Sequence, residues 1–241
     1  QRGVCSSRFL GRPEAGVVVN YLEMVNALRV EVGVSGPRIT SLNIDAPLET
    51  QRLARFVQTA WHEIQAMHED WFFRTVESSD TMEVGQAVQG PTEFASGNVR
   101  SWKLDTFRYA LPGLGYDRSE AMQYIPWDEF RLSRDTVRRG RPDCFTVRPR
   151  DNAVVVSYAP DEPFSLFCDY TRTLQTLRYD ADVPIMPADF HEAIVFKAKE
   201  RYGAYEDDSG VYDDGKFKAT EWLQRLQTSQ LPTVGIGTLE L

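Results

Sequence analysis

The sequence contains few of the residues from which metal and redox centres are usually built. It has three cysteines and three histidines among its 241 residues. Cys5, Cys144 and Cys168 are odd in number and widely spaced, which fits neither a zinc knuckle nor a disulfide framework. His62 and His68 lie six positions apart on one predicted helix, whereas a helical ligand pair lies four apart on one face. We therefore expect bystander thiols and no histidine metal site.

The motifs of several common enzyme classes are also missing. Neither Gly-x-Gly-x-x-Gly nor Gly-x-x-x-x-Gly-Lys-[Ser/Thr] occurs, and there is no Gly-x-Ser-x-Gly elbow. The third histidine, His191, follows Phe190 at a predicted helix start, where a capping or packing role is expected. These absences predict a protein that is not an enzyme and that needs no cofactor or metal.

Long apolar runs and an excess of positive charge are absent as well. No apolar run approaches the roughly 20 residues that span a bilayer, and residues 1–12 lack the apolar region of a signal peptide. The net charge of -8 opposes a general affinity for phosphate backbones, which depends on excess Lys and Arg. We expect no membrane partner, no nucleic-acid binding as the main activity, and a location in a cytoplasm or in a particle assembled there.

Amphipathic helices are predicted at the start of the chain. Residues 17–33 carry apolar side chains at helical spacing, and Gly33 to Pro37 provides a stop signal. From Leu53 to Trp71 the i, i+3, i+4, i+7 pattern continues and includes Trp61 and Ile64. This second segment is the clearest helix in the sequence.

The middle of the chain changes to short β-branched and aromatic runs separated by turn residues. The strongest strand predictions are 144–148, 154–158 and 164–173, which together predict an antiparallel meander. Weaker strands are predicted at 71–76, 84–88, 107–111 and 122–125, and a short helix with proline in its first turn at 126–133.

Two further helices are predicted after a proline-containing connector at 174–188, with a junction near residues 207–210. Their apolar faces comprise His191, Ile194, Val195, Ala198, Tyr202 and Tyr205 on the first and Val211, Gly215, Ala219, Trp222, Leu223 and Leu226 on the second.

The order of these elements predicts an α+β fold. Residues 1–71 and 174–229 would form a helical base, with a core that includes Trp61, Ile64, Ile194 and Trp222. Residues 72–173 would form an inserted antiparallel β lobe, and residues 230–241 an extended C-terminal arm. Apolar anchors at the free end of the arm predict docking on another protein, while a frayed terminus is the alternative.

Two groups of acidic residues resemble cation sites without matching a motif. Asp180, Asp182, Asp189 and Glu192 provide oxygen ligands for a metal-dependent hydrolase, although Asp189 is better explained by its place near a helix N-terminus. The acidic residues at 206–214 do not follow the EF-hand spacing, and a solvated helix junction is the preferred interpretation.

Arginine is concentrated in one segment of this acidic chain. The arginine cluster that we expect to contact a neighbouring subunit or partner comprises Arg134, Arg138, Arg139 and Arg141. Guanidinium groups suit carboxylates as well as phosphates, so a neighbour's acidic surface is the simplest partner, with a local nucleic-acid contact or a solvated loop as alternatives.

Several segments together give the chain a resemblance to the head-to-tail adaptor (connector or neck) proteins of tailed bacteriophages. They are residues 28–36, the helix 56–65 with Asp70-Trp71-Phe72-Phe73 after it, Gly140-Arg141-Pro142, the helix start 186–194, residues 202–207, and Gln230-Leu231-Pro232. The resemblance covers both ends and part of the middle, and it does not include residues 76–118.

The resemblance implies a non-enzymatic virion protein of the phage neck, assembled in the host cytoplasm. Such proteins form a ring, usually of about twelve copies, that joins the portal to tail or neck proteins and continues the DNA channel. The partners would be the portal, those proteins and further copies of the chain, with DNA only in passage. The portal-binding arm would use Leu231, Pro232, Ile236, Leu239 and Leu241 as contacts. A tail terminator or tail-completion ring is the structural alternative.

Overall fold

The computed structural model describes residues 19–43, 46–95, 98–133 and 138–232. In chain order the elements are α1 (Tyr21–Glu31), α2 (Leu48–Met67), β1 (Thr75–Met82), β2 (Val88–Gln89), α3 (Pro91–Ala95), β3 (Val99–Ala110), β4 (Glu120–Ala121), β5 (Gln123–Tyr124), α4 (Trp127–Ser133), β6 (Cys144–Arg148), β7 (Ala153–Val156), β8 (Phe164–Arg172), α5 (His191–Glu206) and α6 (Ser209–Gln230). Helices at both ends with sheets between them confirm the predicted α+β class.

The chain divides into two compact units. The first is formed by Gln1–Trp61 and Leu177–Gln224, and the second by His62–Thr176 and Arg225–Leu241, as far as these residues are described. Each unit has its own buried apolar residues.

The first unit is helical and begins with a well-capped helix. The Asn20 side chain accepts a hydrogen bond from the Glu23 backbone N–H at 2.9 Å, and the Glu23 carboxylate accepts one from the Asn20 N–H at 3.0 Å. This capping box satisfies two backbone donors that a helix start leaves unpaired. The Tyr21 hydroxyl then donates to the Ala54 carbonyl at 2.8 Å, which ties α1 to α2.

The core of the helical unit is built from one face of each helix. Trp61 and Ile194 are fully buried, whereas Trp222, which we expected in the core, is half-buried. The residues that share this burial include Met24, Val25, Leu28, Leu53, Val57, Ala60, Ala198, Ala219 and Leu223. α5 and α6 are joined at Asp207, which ends α5 in the left-handed conformation at φ 55°.

The second unit contains two four-stranded sheets, with strand orders β1-β8-β3-β4 and β2-β7-β6-β5. All pairings are antiparallel except that between β5 and β6. Side chains from both sheets form one buried cluster that includes Trp102, Phe107, Phe145 and Leu166. The Phe107 and Phe145 rings stack with their centroids 4.0 Å apart. Ile64, also expected in the core of the helical base, belongs to this second unit and is fully buried.

The predicted three-strand meander is wrong in its last member. β6 and β7 do pair antiparallel, but β8 lies in the other sheet between β1 and β3. β8 could be predicted as a strand from its local sequence, and in the structure alternate residues from Phe164 to Tyr170 are buried. The local sequence could not identify the partners, since both pair with β8 from distant parts of the sequence.

Three weaker strand predictions also need correction. Residues 72–74 form a 3-10 turn, and the strand begins at Thr75 and continues to Met82. Only Val88 of the predicted strand at 84–88 is in a strand, because Gly85 adopts φ 82° in a turn. The strand predicted at 107–111 is the end of a longer one that starts at Val99.

Candidate functional site

The predicted C-terminal arm begins on the last turn of a helix. α6 continues through Gln230, and the backbone N–H of Leu231 donates to the Gln227 carbonyl at 3.1 Å. Leu231 is half-buried and Pro232 is exposed. Ile236, Leu239 and Leu241 lie outside the described residues. A deletion intended to remove the arm should therefore start at Thr233, so that it leaves α6 whole.

Two members of the arginine cluster, Arg138 and Arg141, stack on tyrosine rings. Arg138 lies over the Tyr158 ring at 5.4 Å, and Arg141 lies over the Tyr109 ring at 5.1 Å. Arg134 lies outside the described residues. A guanidinium held against an aromatic face keeps its N–H donors at the ring edge, where they can still bind an anion.

The arginines differ in whether their charge is already paired. Arg141 contacts the Glu120 carboxylate at 3.2 Å. Within the described ranges neither Arg138 nor Arg139 lies within ion-pair distance of a carboxylate, and both are exposed. The backbone holds this segment against Ala159, because Arg139 forms a β-bridge with it and Gly140 donates to its carbonyl at 3.0 Å. Arg138 and Arg139 are thus the available donors of the cluster.

A second surface, on the helical unit, combines aromatic rings with carboxylates. We call Arg52, Phe56, Tyr202, Tyr205 and Glu206 the tyrosine surface. Phe56 of α2 contacts both tyrosines of α5, with ring centroids 6.0 Å from Tyr202 and 5.7 Å from Tyr205. Arg52 lies 4.8 Å above the Tyr205 ring and 3.7 Å from the Glu206 carboxylate. The surface therefore already holds one guanidinium between a ring and an acid.

The tyrosine surface is only partly buried. Tyr205 is 56% exposed, and Phe56 and Tyr202 are half-buried. Burial, followed by the nearby Glu206 and Glu49 carboxylates, raises the pKa of Tyr202 above its usual value. Tyr202 should therefore stay neutral at physiological pH and act as a ring and a hydroxyl donor. The sequence pattern had placed both tyrosines on one helical face together with Ile194 and Ala198.

Two of the four acidic residues considered as metal ligands, Asp180 and Asp182, accept hydrogen bonds from backbone groups. Asp180 accepts a hydrogen bond from the Leu42 N–H at 3.0 Å. Asp182 accepts two, from Arg178 at 2.6 Å and Tyr179 at 2.9 Å. Asp189 lies in a 3-10 turn, and Glu192 lies in the first turn of α5. Across the part of the chain that is described, no three His, Cys, Asp or Glu side chains are grouped so that they could hold a metal.

The histidines have separate partners. His62 lies 3.3 Å from the Thr176 hydroxyl, and His68 lies 3.1 Å from the Gln227 amide nitrogen. His191 is buried at the start of α5, with Nε2 3.0 Å from the Met186 carbonyl oxygen, and burial lowers its pKa.

The two described cysteines are poorly suited to nucleophilic chemistry. Burial raises the pKa of Cys168 to about 12, with Asp169 and Asp80 adding to the shift. Burial also raises the pKa of Cys144. A thiol is reactive as a thiolate, so both groups are in their less reactive form near neutral pH. Cys5 lies outside the described residues.

Comparison with known proteins gives one family match. A family model described as SU10 adaptor protein matches residues 19–233. No curated protein matches the chain significantly. Among the helices that are described, none has both the length and the apolar character needed to span a membrane.

Proposed function

Because the chain belongs to the SU10 adaptor protein family, we propose that it is a structural virion protein that joins the capsid portal to the tail of a phage. The match carries this proposal, since it covers residues 19–233 and so includes both compact units. Membership of an adaptor family assigns the protein a binding role, and we propose that it has no enzymatic activity.

We further propose that the protein works as a ring, with about twelve copies around the channel through which DNA passes. A ring of identical chains needs two different surfaces that fit each other. The arginine cluster offers positive charge, whereas the tyrosine surface offers aromatic rings and carboxylates. These two surfaces are different and chemically complementary, which supports the proposal. A net charge of -8 also suits a conduit for DNA, because it opposes capture of the passing phosphates.

Residues 230–241 are proposed as the portal-binding arm. Their apolar side chains, Leu231, Ile236, Leu239 and Leu241, would act as anchors in the portal. Each arm alone would bind weakly. Once one arm of a ring is bound, the others bind at a high effective concentration, so the whole ring is held far more tightly.

Co-purification with portal rings of the same phage tests this function. The intact chain should be retained on immobilised portal, and a chain lacking Thr233–Leu241 should fold normally and be lost. Retention on tail-tube protein in place of portal would identify a tail terminator or tail-completion ring. Retention of the truncated chain on portal would show that residues 233–241 are not required.

A further inference from the structure

We propose that the tyrosine surface receives Arg138 and Arg139 of a second copy of this chain. The inference rests on the proposed function, because it supplies the contact from which a ring of identical copies would be built. It also identifies the two groups of side chains that would meet at each subunit boundary.

The acceptor is suited to a guanidinium group. Arg52 already lies 4.8 Å above the Tyr205 ring and 3.7 Å from Glu206, which shows that ring and acid are placed to hold an arginine. Tyr205 nevertheless remains 56% exposed, so most of this side chain is available to a further partner. Tyrosine and arginine are the residues enriched at the energetically important centres of protein interfaces.

Carboxylates lie within the tyrosine surface and beside it. Arg52 is shared between two carboxylates, Glu49 at 3.2 Å and Glu206 at 3.7 Å. The next two residues of the chain, Asp207 and Asp208, are exposed acids. These carboxylates would attract an incoming arginine.

The donor residues, Arg138 and Arg139, provide positive charge in an ordered form. Arg138 is stacked on Tyr158, and the backbone of Arg139 is fixed by its bridge to Ala159. Both arginines are exposed, and in the described ranges neither pairs with a carboxylate. Because part of their freedom is already lost, binding them costs less entropy than binding free side chains.

A second copy is the partner that this chemistry favours. The donor lies on the strand-rich unit and the acceptor on the helical unit, and the two surfaces are different. One copy can therefore give its arginines to the next copy while its own tyrosine surface accepts those of the copy before. Contacts of this head-to-tail kind form closed rings when the rotation between copies is right.

Charge reversal tests the contact. The donor variant Arg138→Glu/Arg139→Glu should self-associate at least tenfold more weakly than the unmodified chain in sedimentation experiments at low salt. The control Arg118→Glu/Arg150→Glu changes two exposed arginines of the same unit by the same charge and should associate normally. Normal association of the donor variant, or an unmodified chain that stays monomeric at all concentrations tested, would overturn the inference.

An acceptor variant makes the test reciprocal. Glu49→Arg/Glu206→Arg should also fail to associate alone, with circular dichroism used to show that it is folded. Mixing the donor and acceptor variants should restore association. The new glutamates of the donor variant would meet the new arginines of the acceptor variant, and the unchanged arginines of the acceptor variant would meet the unchanged tyrosine surface of the donor variant. The mixed ring would alternate the two chains. If two folded variants do not associate when mixed, the proposed pairing is wrong.

Failure here can be separated from failure of the proposed function. Binding of the intact chain to portal, together with normal association of the donor variant, would overturn only this contact. Self-association that follows the charge-reversal pattern, without any binding to portal, would overturn only the proposed function.

Discussion

Gly203 of α5 and Gly215 of α6 each lie against the backbone of the other helix. A Cβ atom at Gly203 would come within 2.4 Å of the Tyr212 nitrogen, and one at Gly215 within 2.5 Å of the Glu200 nitrogen. Real side chains do not approach so closely, so glycine at both positions is what lets the two helices pack at this distance. The same helix, α5, carries Tyr202 and Tyr205 of the tyrosine surface.

Replacing either glycine by alanine should destabilise the helical unit. Gly203→Ala or Gly215→Ala would push the helices apart, and overpacking of this kind costs about 1–3 kcal/mol or more. Gly210→Ala is the control, since Gly210 lies in α6 with only an aspartate side chain nearby, and alanine there should be neutral or slightly stabilising. Thermal unfolding would compare the three variants. Equal melting temperatures would show that the helices can adjust without cost.

Arg74 should be needed for the stability of the second unit. It is buried, and its guanidinium donates to the Gln65 carbonyl at 3.1 Å and the Arg172 carbonyl at 2.6 Å. Arg74→Met would leave buried acceptors without donors, which costs about 1–3 kcal/mol. Arg100→Met is the control, because Arg100 is 56% exposed and its ion pair with Glu69 is at the surface. Urea unfolding that gives the same free energy for both variants would contradict this role.

The helices could be predicted because each needs only a local pattern. α1 lies within the predicted 17–33, and the α5–α6 junction lies at Asp207, where it was expected. α2 begins five residues before the predicted Leu53 and ends at Met67, four residues before Trp71. Its start is polar, so the apolar pattern appears late.

The strands were harder because pairing is a long-range property. β6 has the predicted bounds, and its neighbour β7 begins one residue before the prediction. β1 was largely missed, since the residues from Glu77 to Thr81 are all polar and show no apolar alternation. Its eight residues are nevertheless held as a strand by an unbroken register with β8.

The tyrosine surface shows the limit of a helical pattern. Tyr202 and Tyr205 follow the helical spacing of α5, so the sequence placed both on the same face as Ile194. In the structure the buried face ends at Gly203, and Tyr205 is exposed beside Arg52. The sequence placed Phe56 and Tyr202 on predicted helices. It could not show that their shared surface is exposed, because this depends on how α2 and α5 pack.

Trp61 should be the most costly side chain to remove from the helical unit. It is fully buried in α2, and truncating a buried tryptophan costs about 3–5 kcal/mol because a large cavity remains. Phe217→Ala is a control on the surface of α6, where the ring is 72% exposed and the cost should be small. An unchanged melting temperature for Trp61→Ala would contradict its place in the core.

The ion pairs of Lys199 should make the stability of the helical unit sensitive to acid. Lys199 is buried and donates to Asp214 at 2.6 Å and to Glu31 at 3.0 Å. Its bond to Asp214, followed by that from Lys218, lowers the pKa of Asp214 below the usual 3.8. Burial alone would lower the pKa of Lys199, but its bonds to the two acids outweigh burial and raise it above 10.5.

The two shifts set the expected pH dependence. A lowered carboxylate pKa gives stability that is present above pH 3.8 and is lost as pH falls through the lower, folded-state value. A raised amine pKa gives stability that is lost only as pH rises beyond 10.5. Lys199→Met should therefore unfold at a lower urea concentration than the unmodified chain at pH 7. The difference between the two urea midpoints should shrink below about pH 4. Lys216 is an exposed lysine of α6, so the control Lys216→Met should have the same urea midpoint as the unmodified chain. A difference for Lys199→Met that stays constant down to pH 2 would contradict the ion-pair explanation.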